Sequence, residues 1–424
     1  MADNKQVPVN TSDVIEAAEA KAAADKDTEQ EKAEKKRADL ESKLKSGDAL
    51  VDLLKTHMEK PTPQTPVGFP VLDYALGDGL DAGGLPPGLI TLGAIPSLGK
   101  TAFVLQMADY MVEHGNNVLM IALEMSPLEL TARSISRLTA IDLAREELQG
   151  DYPRALSAKG VRLYQARREK KYAPQNQSDT EYRRVMDERL EAAITRYRER
   201  IAPHTFFYSP ENLIPASGVR ELVEKFADVH GKPPVVILDY IQILCPEAGK
   251  ERNTEKQNMD AAALTLKHIS RDYKIPVLCV SSFNRMNYNE PVSMESFKES
   301  GGIEYSSDAV IGMQLYGTGF YNSKRGKTLD IDLEKGRNPR RVQARILKNR
   351  DGITGRFINL EYFPAVNLFQ EVSKHPEKKF RDAPEHWKAD PPAYKEASED
   401  DAVDISAIIE APAKREKKVT LHRK

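Results

Sequence analysis

Nine consecutive residues, Gly93-Ala94-Ile95-Pro96-Ser97-Leu98-Gly99-Lys100-Thr101, satisfy the pattern G-x-x-x-x-G-K-[ST]. Two glycines let the backbone turn back so that successive N–H groups point at one anion. A helix opening directly afterwards adds the positive end of its dipole. In that chemistry Lys100 reaches the β- and γ-phosphates of a nucleotide and the Thr101 hydroxyl holds Mg²⁺. The candidate nucleotide contacts are Gly93, Ala94, Pro96, Ser97, Leu98, Gly99, Lys100, Thr101 and Ala102. Hydrolysis needs two further groups, a carboxylate on the metal side and a base that positions water. Asp239 ends the apolar run Val235-Val236-Ile237-Leu238, and Glu124 ends Val118-Leu119-Met120-Ile121-Ala122-Leu123. Asp239 is the candidate metal-side acid, with a strand-end cap as the plainer alternative. Glu124 is the candidate that aligns and deprotonates water, or else a charge at a helix N-terminus.

These groups must be positioned by the elements around them. Leu89 to Leu92 read as a strand before the loop, and Phe103, Met107 and Met111 fall at helical spacing after it. Further apolar runs lie at Val118–Leu123, Val235–Leu238, Val277–Val280, Ala309–Met313 and Ala344–Leu347, several of them separated by helical patterns. That alternation predicts an α/β fold with a mostly parallel central sheet flanked by helices. In such a sheet the carboxyl ends of the strands face the ligand crevice, which brings Glu124 and Asp239 to the phosphate loop.

Composition sets outer bounds. The 424 residues are 40% hydrophobic, enough for a sizeable core, and Lys+Arg 62 against Asp+Glu 64 leaves a net charge of -2. A globally basic nucleic-acid binder is thereby excluded, so any basic surface is local. The two cysteines, Cys245 and Cys279, lie in or beside apolar runs and read as buried thiols in a reducing compartment. The N-terminus lacks an apolar signal region and no run approaches 18 apolar residues. A soluble, cytoplasmic protein without membrane contact is expected.

Four segments follow from the changes in character along the chain. Residues 1–45 are rich in Ala, Lys, Glu and Asp and predict a solvated helix or disorder. Residues 46–63 hold an amphipathic helix with Leu50, Val51, Leu53, Leu54 and Met58, ended by Pro61 and Pro63. It can dock on its own domain or on a neighbouring subunit. Residues 64–373 form the α/β core, and residues 374–424 a charged, disordered tail with a small apolar island at Val403, Ile405, Ile408 and Ile409. Basic insertions interrupt the core near 150–200 and 320–343. Residues 154–200 carry 13 Lys/Arg against 7 Asp/Glu, and residues 324–350 carry 10 against 3. The first reads either as a long solvated helix or as a surface facing nucleic acid.

The cradle GAIPSLGKT, LEM at 123–125, LDYIQIL at 238–244, SSFNR at 281–285, ESGGIE at 299–304 and KNRDGITG at 348–355 resemble, in order, the ATPase domain of DnaB-type replicative helicases. The resemblance spans roughly residues 64–370. It implies a RecA-like fold, a homohexameric ring with ATP and Mg²⁺ held between neighbours, and ATP-driven movement on single-stranded DNA during replication, with replication or loader proteins as possible partners. Carried over by position, Lys100, Thr101, Glu124 and Asp239 keep the roles above. Lys348 and Arg350 match the pair projected into the adjacent site, Arg350 as the arginine finger. Lys298, Glu299, Gly301 and Gly302 match a channel-lining loop whose glycine-freed N–H groups grip phosphates. Ser282 stands where the family usually has a γ-phosphate-sensing Gln, so sensing here can differ or use Asn284 and Arg285. The family's globular N-terminal domain has no counterpart in fewer than 70 preceding residues, which points to a relative from a mobile element or phage. Two other readings stay open: a recombinase-like strand-binding filament, and a non-translocating ATPase acting as a loader or assembly switch.

Overall fold

The computed structural model describes residues 46–372 except 60–63, 78–82, 123, 144–146, 149–154, 166–176, 211, 285–287, 298–299, 320, 323–326 and 353. The chain divides into two units, residues 1–62 and 63–424. In the first, helix α1 (Gly47–Glu59) is the amphipathic helix expected after Ser46, and Leu50, Val51, Leu53, Leu54 and Met58 are exposed on it. The 1–45 extension and the 374–424 tail lie outside the described residues.

The second unit opens with α2 (Pro70–Leu76), whose first turn uses proline where no N–H is needed. Its Val71 and Leu72 N–H groups donate to the Glu371 carboxylate at 3.0 and 3.1 Å. Then come β1 (Gly88–Ala94), α3 (Lys100–Glu113), β2 (Val118–Ala122) and α4 (Pro127–Leu138). Helix α4 starts at a Ser126–Glu129 capping box, in which each side chain satisfies the other's backbone N–H. The next elements are α5 (Ala158–Arg162), α6 (Gln177–Arg196), β3 (Thr205–Tyr208), α7 (Ala216–His230), β4 (Val235–Asp239), α8 (Glu255–Tyr273), β5 (Pro276–Ser282), α9 (Ser300–Ser306) and β6 (Ala309–Leu315). The chain closes with a short hairpin, β7 (Tyr321–Asn322) and β8 (Lys327–Thr328), then α10 (Ile331–Lys335), β9 (Arg340–Asn349), β10 (Phe357–Phe363) and β11 (Leu368–Glu371).

Among the described residues nine strands form one sheet in the order β11-β10-β9-β6-β1-β5-β4-β2-β3. Strands β1 to β6 are all parallel to their sheet neighbours among themselves, because helical crossovers return the chain each time, whereas β9 joins β6 antiparallel after the segment that holds β7, β8 and α10, and β10 and β11 follow antiparallel through short connections. The predicted mostly parallel α/β sheet is thus present. Strand β1 is central and buried at every position, flanked by β5 and β6. One face of the sheet is covered by α3, with Phe103, Met107 and Met111 fully buried as their spacing predicts; the other is covered by α7 and α8 through Val219, Val223, Leu266 and Ile269. Burying each such large side chain contributes about 1.5–3 kcal/mol, which holds the strand ends in register beneath the loops.

Two expectations are modified, and the second basic insertion adds a finding. Cys279 is buried in β5, but Cys245 is only half-buried, its Sγ donating to the Leu213 carbonyl at 3.4 Å. The first basic insertion is more than a solvated helix: Met186 and Leu190 of α6 are buried with Leu156 and Tyr164 in a small core of their own, and Arg196 pairs with Glu113 at 2.8 Å. In the second, Arg340 is turned inward and buried.

Candidate nucleotide site

The phosphate pattern folds as a turn between β1 and α3, and its glycines serve two different needs. At Gly93, still in β1, a Cβ would lie 2.3 Å from the Phe297 ring and 2.4 Å from the Phe283 ring, so side-chain space is what is missing. At Gly99 the backbone is left-handed, φ 97°, and a Cβ would meet the Tyr362 and Phe369 rings at 2.8 and 2.9 Å. Pro96 and Ser97 are exposed at the tip, while Ala94, Leu98 and Ala102 are buried beneath it. No side chain caps α3, so the N–H groups of its first turn remain available to an anion.

Lys100 folds back over the loop, its Nζ donating to the Ala94 and Ile95 carbonyls at 3.2 and 3.4 Å. Burial lowers the pKa of its ammonium, opposed by the charges of Asp239 and Glu124. The Thr101 hydroxyl donates to Asp239 Oδ2 at 2.7 Å. Burial raises the Asp239 carboxyl above its ordinary range against that hydrogen bond, and the negative charge of Glu124 pushes the same way. Glu124 is exposed just beyond the end of β2, whose Ala122 is level with Asp239 in the sheet. Strand order thereby brings Lys100, Thr101, Asp239 and Glu124 to one end of the parallel strands, as predicted. Mg²⁺ usually takes only one or two protein oxygens and completes its shell with phosphate and water. The Thr101–Asp239 pair fits that donor set, and among the described residues no cluster of three or more His, Cys, Asp or Glu offers a dedicated metal cage.

Lys348 and Arg350 lie elsewhere. Strand β9 runs antiparallel to β6, pairing Asn349 with Ala309 and Lys348 with Val310, and Ala309 is level with Ile90 near the start of β1. The phosphate turn begins after Ala94, so four residue steps, about 13 Å at ~3.3 Å each, separate the two groups along β1. Lys348 donates to the Glu304 carbonyl, and Arg350 Nη2 to the Tyr305 carbonyl at 3.1 Å. Asn349, between them, donates instead to the Ala75 and Leu76 carbonyls. Partial burial, together with the Arg350 charge, lowers the pKa of Lys348.

Ser282 is in register with Ala94 at the end of β5, beside the turn. A glutamine does reach this strand end from another element: Gln242, in the short turn after β4, donates to the Ser281 hydroxyl at 2.7 Å. Asn284 is exposed, its backbone N–H bonded to the Ser296 carbonyl. Arg285, Lys298 and Glu299 lie outside the described residues. Gly301 and Gly302 are not in an open loop, as the channel-loop expectation had them, but in α9. Gly302 is buried against α8, where a Cβ would meet Asp260 Oδ1 at 2.1 Å, so its missing side chain allows close helix packing. Gly301 sits near the Lys256 side chain.

Two site residues escaped the sequence reading. Arg340 donates to the carbonyls of Ser97 and Lys335 and lies 5.6 Å from the Tyr362 ring centroid, bracing the turn from behind. Arg133 acts electrostatically on Asp239 and lines a cavity of about 340 Å³ with Met125, Glu129, Ser157, Lys159 and Asn367. An arginine at a strand start and one in mid-helix carry no motif, and only the fold brings them here.

The turn, the Thr101–Asp239 pair and the parallel sheet define a P-loop nucleotide-binding domain of RecA-like architecture. The chain belongs to the DnaB-like helicase family: the family model for the DnaB-like helicase C terminal domain matches residues 66–371. The replicative DNA helicase DnaB of Helicobacter pylori strain J99 is 25% identical over 251 residues, 58% of this chain and 43% of that protein. DnaB of Geobacillus stearothermophilus is 25% identical over 304 residues, 70% of this chain and 56% of that protein. The chain spans about half the length of the curated relatives it matches. Among solved structures, an isolated ATPase domain shares the fold with a TM-score of 0.57 at 19% identity, covering 77% of this chain and all of that one. A DnaB-like replicative helicase, described with its interactions with primase, shares it with a TM-score of 0.56 at 18% identity, over 84% of this chain and 76% of that one. No helix among the described residues is long and apolar enough to cross a membrane.

Proposed function

We propose that this chain is an ATP-hydrolysing, DnaB-type motor that assembles with copies of itself, six in a ring, and moves on single-stranded DNA in replication. The observation that carries this reading is the separation along β1: one end holds Lys100, Thr101, Asp239 and Glu124, and the other holds Lys348 and Arg350. Groups that far from their own phosphate turn act in a neighbour's site or not at all.

In the assembled site the loop N–H groups and Lys100 hold the nucleotide phosphates. Thr101 and Asp239 would hold Mg²⁺, which would supply neutralisation of charge on the phosphate oxygens. Glu124 accepts a proton from the attacking water. Arg350 of the adjacent subunit, with its Lys348, places cationic donors against charge that grows in the transition state, so that turnover depends on assembly. Ser282 stands at the strand end beside the turn, Asn284 and Arg285 are the proposed partners in sensing occupancy of the γ-phosphate, and Gln242 is the amide already bonded there. Lys298 and Gly301 remain the proposed contacts for the DNA phosphates, with Lys256 beside Gly301. Helix α1, with its exposed apolar residues, docks on protein, either within the ring or on replication or loader proteins.

The test is steady-state ATPase activity against protein concentration, with and without single-stranded DNA, on wild type and Lys100→Ala. The proposal expects turnover per subunit that rises with concentration, increases with the strand and vanishes in the variant. Turnover that is flat in concentration and indifferent to DNA would replace a motor with a switch.

A further inference from the structure

Asp308 is a mostly buried carboxylate with no part in the site described above, and three separate elements converge on it. Its Oδ2 accepts from the Leu89 N–H of β1 at 2.8 Å, and its own N–H donates to the Leu89 carbonyl at 2.7 Å. Lys267 of α8 donates to both carboxylate oxygens. Arg350 Nε stands 3.6 Å from Oδ1, while the Arg350 backbone N–H donates to the Asp308 carbonyl at 2.9 Å. The seat is tight, since a Cβ on Gly88 would meet Oδ2 at 2.6 Å. The guanidinium is held on a second side by the Tyr305 carbonyl, yet its side chain remains 49% exposed.

We infer that Asp308, itself fixed by Leu89 and Lys267, is a positioning residue that sets the direction in which Arg350 projects from the subunit. A long, half-exposed arginine samples many rotamers, and the ionic contact at Nε together with the hydrogen bond from Nη2 narrows them, leaving the remaining donors to point outward. Lys267 matters because a carboxylate that met only Arg350 would draw the guanidinium inward; sharing the charge with Lys267 leaves an ionic contact at 3.6 Å, which orients the guanidinium without retracting it. Both oxygens are committed to Lys267, and the longer contact goes to Arg350, which is the ordering such a balance requires.

This inference rests on the proposed action of Arg350 in a neighbouring site. The test is single-turnover and steady-state ATP hydrolysis by the full chain carrying Asp308→Asn, alone and combined with Arg350→Ala. A companion variant, Asp308→Asn with Lys267→Met, removes both buried charges together and so leaves none unpaired if the single change fails to fold. Misplacement of a catalytic group by about 1 Å costs on the order of 100-fold in rate, so a 10- to 100-fold fall in kcat is expected, with KM for ATP within about twofold. In the Arg350→Ala background the same change should do nothing further. A kcat fall of equal size in both backgrounds, or a rise in KM as large as the fall in kcat, would assign Asp308 a structural role and overturn the inference. Loss of activity in Arg350→Ala alongside wild-type activity in both Asp308 variants overturns the inference and leaves the proposed function standing. Unchanged activity in Arg350→Ala removes both.

Discussion

Thr101 Oγ1 donates to Asp239 Oδ2 across 2.7 Å, joining the first turn of α3 to the end of β4. The two oxygens sit side by side, so that one ion can meet both. Removing the hydroxyl by Thr101→Val, or the carboxylate charge by Asp239→Asn, should lower activity about 10- to 100-fold and raise the Mg²⁺ concentration needed for half-maximal rate. Titrating Mg²⁺ at saturating ATP checks this. A variant with the wild-type Mg²⁺ profile would remove the pair from the metal's surroundings.

Gly99→Ala combines a left-handed backbone with a Cβ pressed into the Tyr362 and Phe369 rings. Strain and overpacking together should cost about 1–3 kcal/mol or more, seen as a lower Tm. Nucleotide affinity should fall with it, because the turn that presents the N–H groups is the part that must shift. Gly115→Ala, also at positive φ but with open space around its Cβ, is the control that carries backbone strain alone.

Arg350→Ala should leave ATP binding intact and lower hydrolysis by roughly 10³ to 10⁵. Equilibrium binding of a fluorescent nucleotide and single-turnover hydrolysis separate the two steps. Unchanged turnover would end the finger assignment.

Asp73 offers a pH test of the fold. It accepts from the Val67 and Gly68 N–H groups, yet burial pushes its carboxyl up to about 7, with the nearby Glu371 charge adding to the rise. The folded state then holds this proton more tightly than the unfolded chain does. The stability it contributes is complete below about pH 4 and is lost as pH climbs towards 7, up to about 4 kcal/mol in total. Urea midpoints measured from pH 4 to 8 should therefore drop for wild type relative to Asp73→Asn. A difference that stays constant across that range, or runs the other way, would mean the carboxyl is ionised throughout.

Much of the site was legible because its parts are local. Asp239 and Glu124 stand out as lone acids after buried strands, and the glycines with Lys100 and Thr101 form one contiguous pattern. What could not be read is what distance along the chain conceals. Arg340 supports Ser97 from 243 residues away, and Gly302 exists for Asp260 of α8 rather than for an open loop. Lys348 and Arg350 drew attention only through family resemblance. Their place at the far end of β1 depends on the antiparallel register of β9 with β6, which no periodicity reveals. The helical insertion was recognised by its charge, while its small core around Leu156 and Tyr164 came from pairing segments more than twenty residues apart.

Lys100 and Arg350 lie level with opposite ends of β1, and under the proposed function that separation also sets how working sites are counted. In the proposed assembly they belong to junctions between copies rather than to copies. A closed ring has as many junctions as members, an open row has one fewer, and an isolated copy has none. On that proposal, opening one seam would silence a single site, and a copy without Arg350 would disable its neighbour while its own pocket went on working. Mixtures of defective copies should therefore follow the statistics of adjacent pairs instead of tracking the fraction of intact chains.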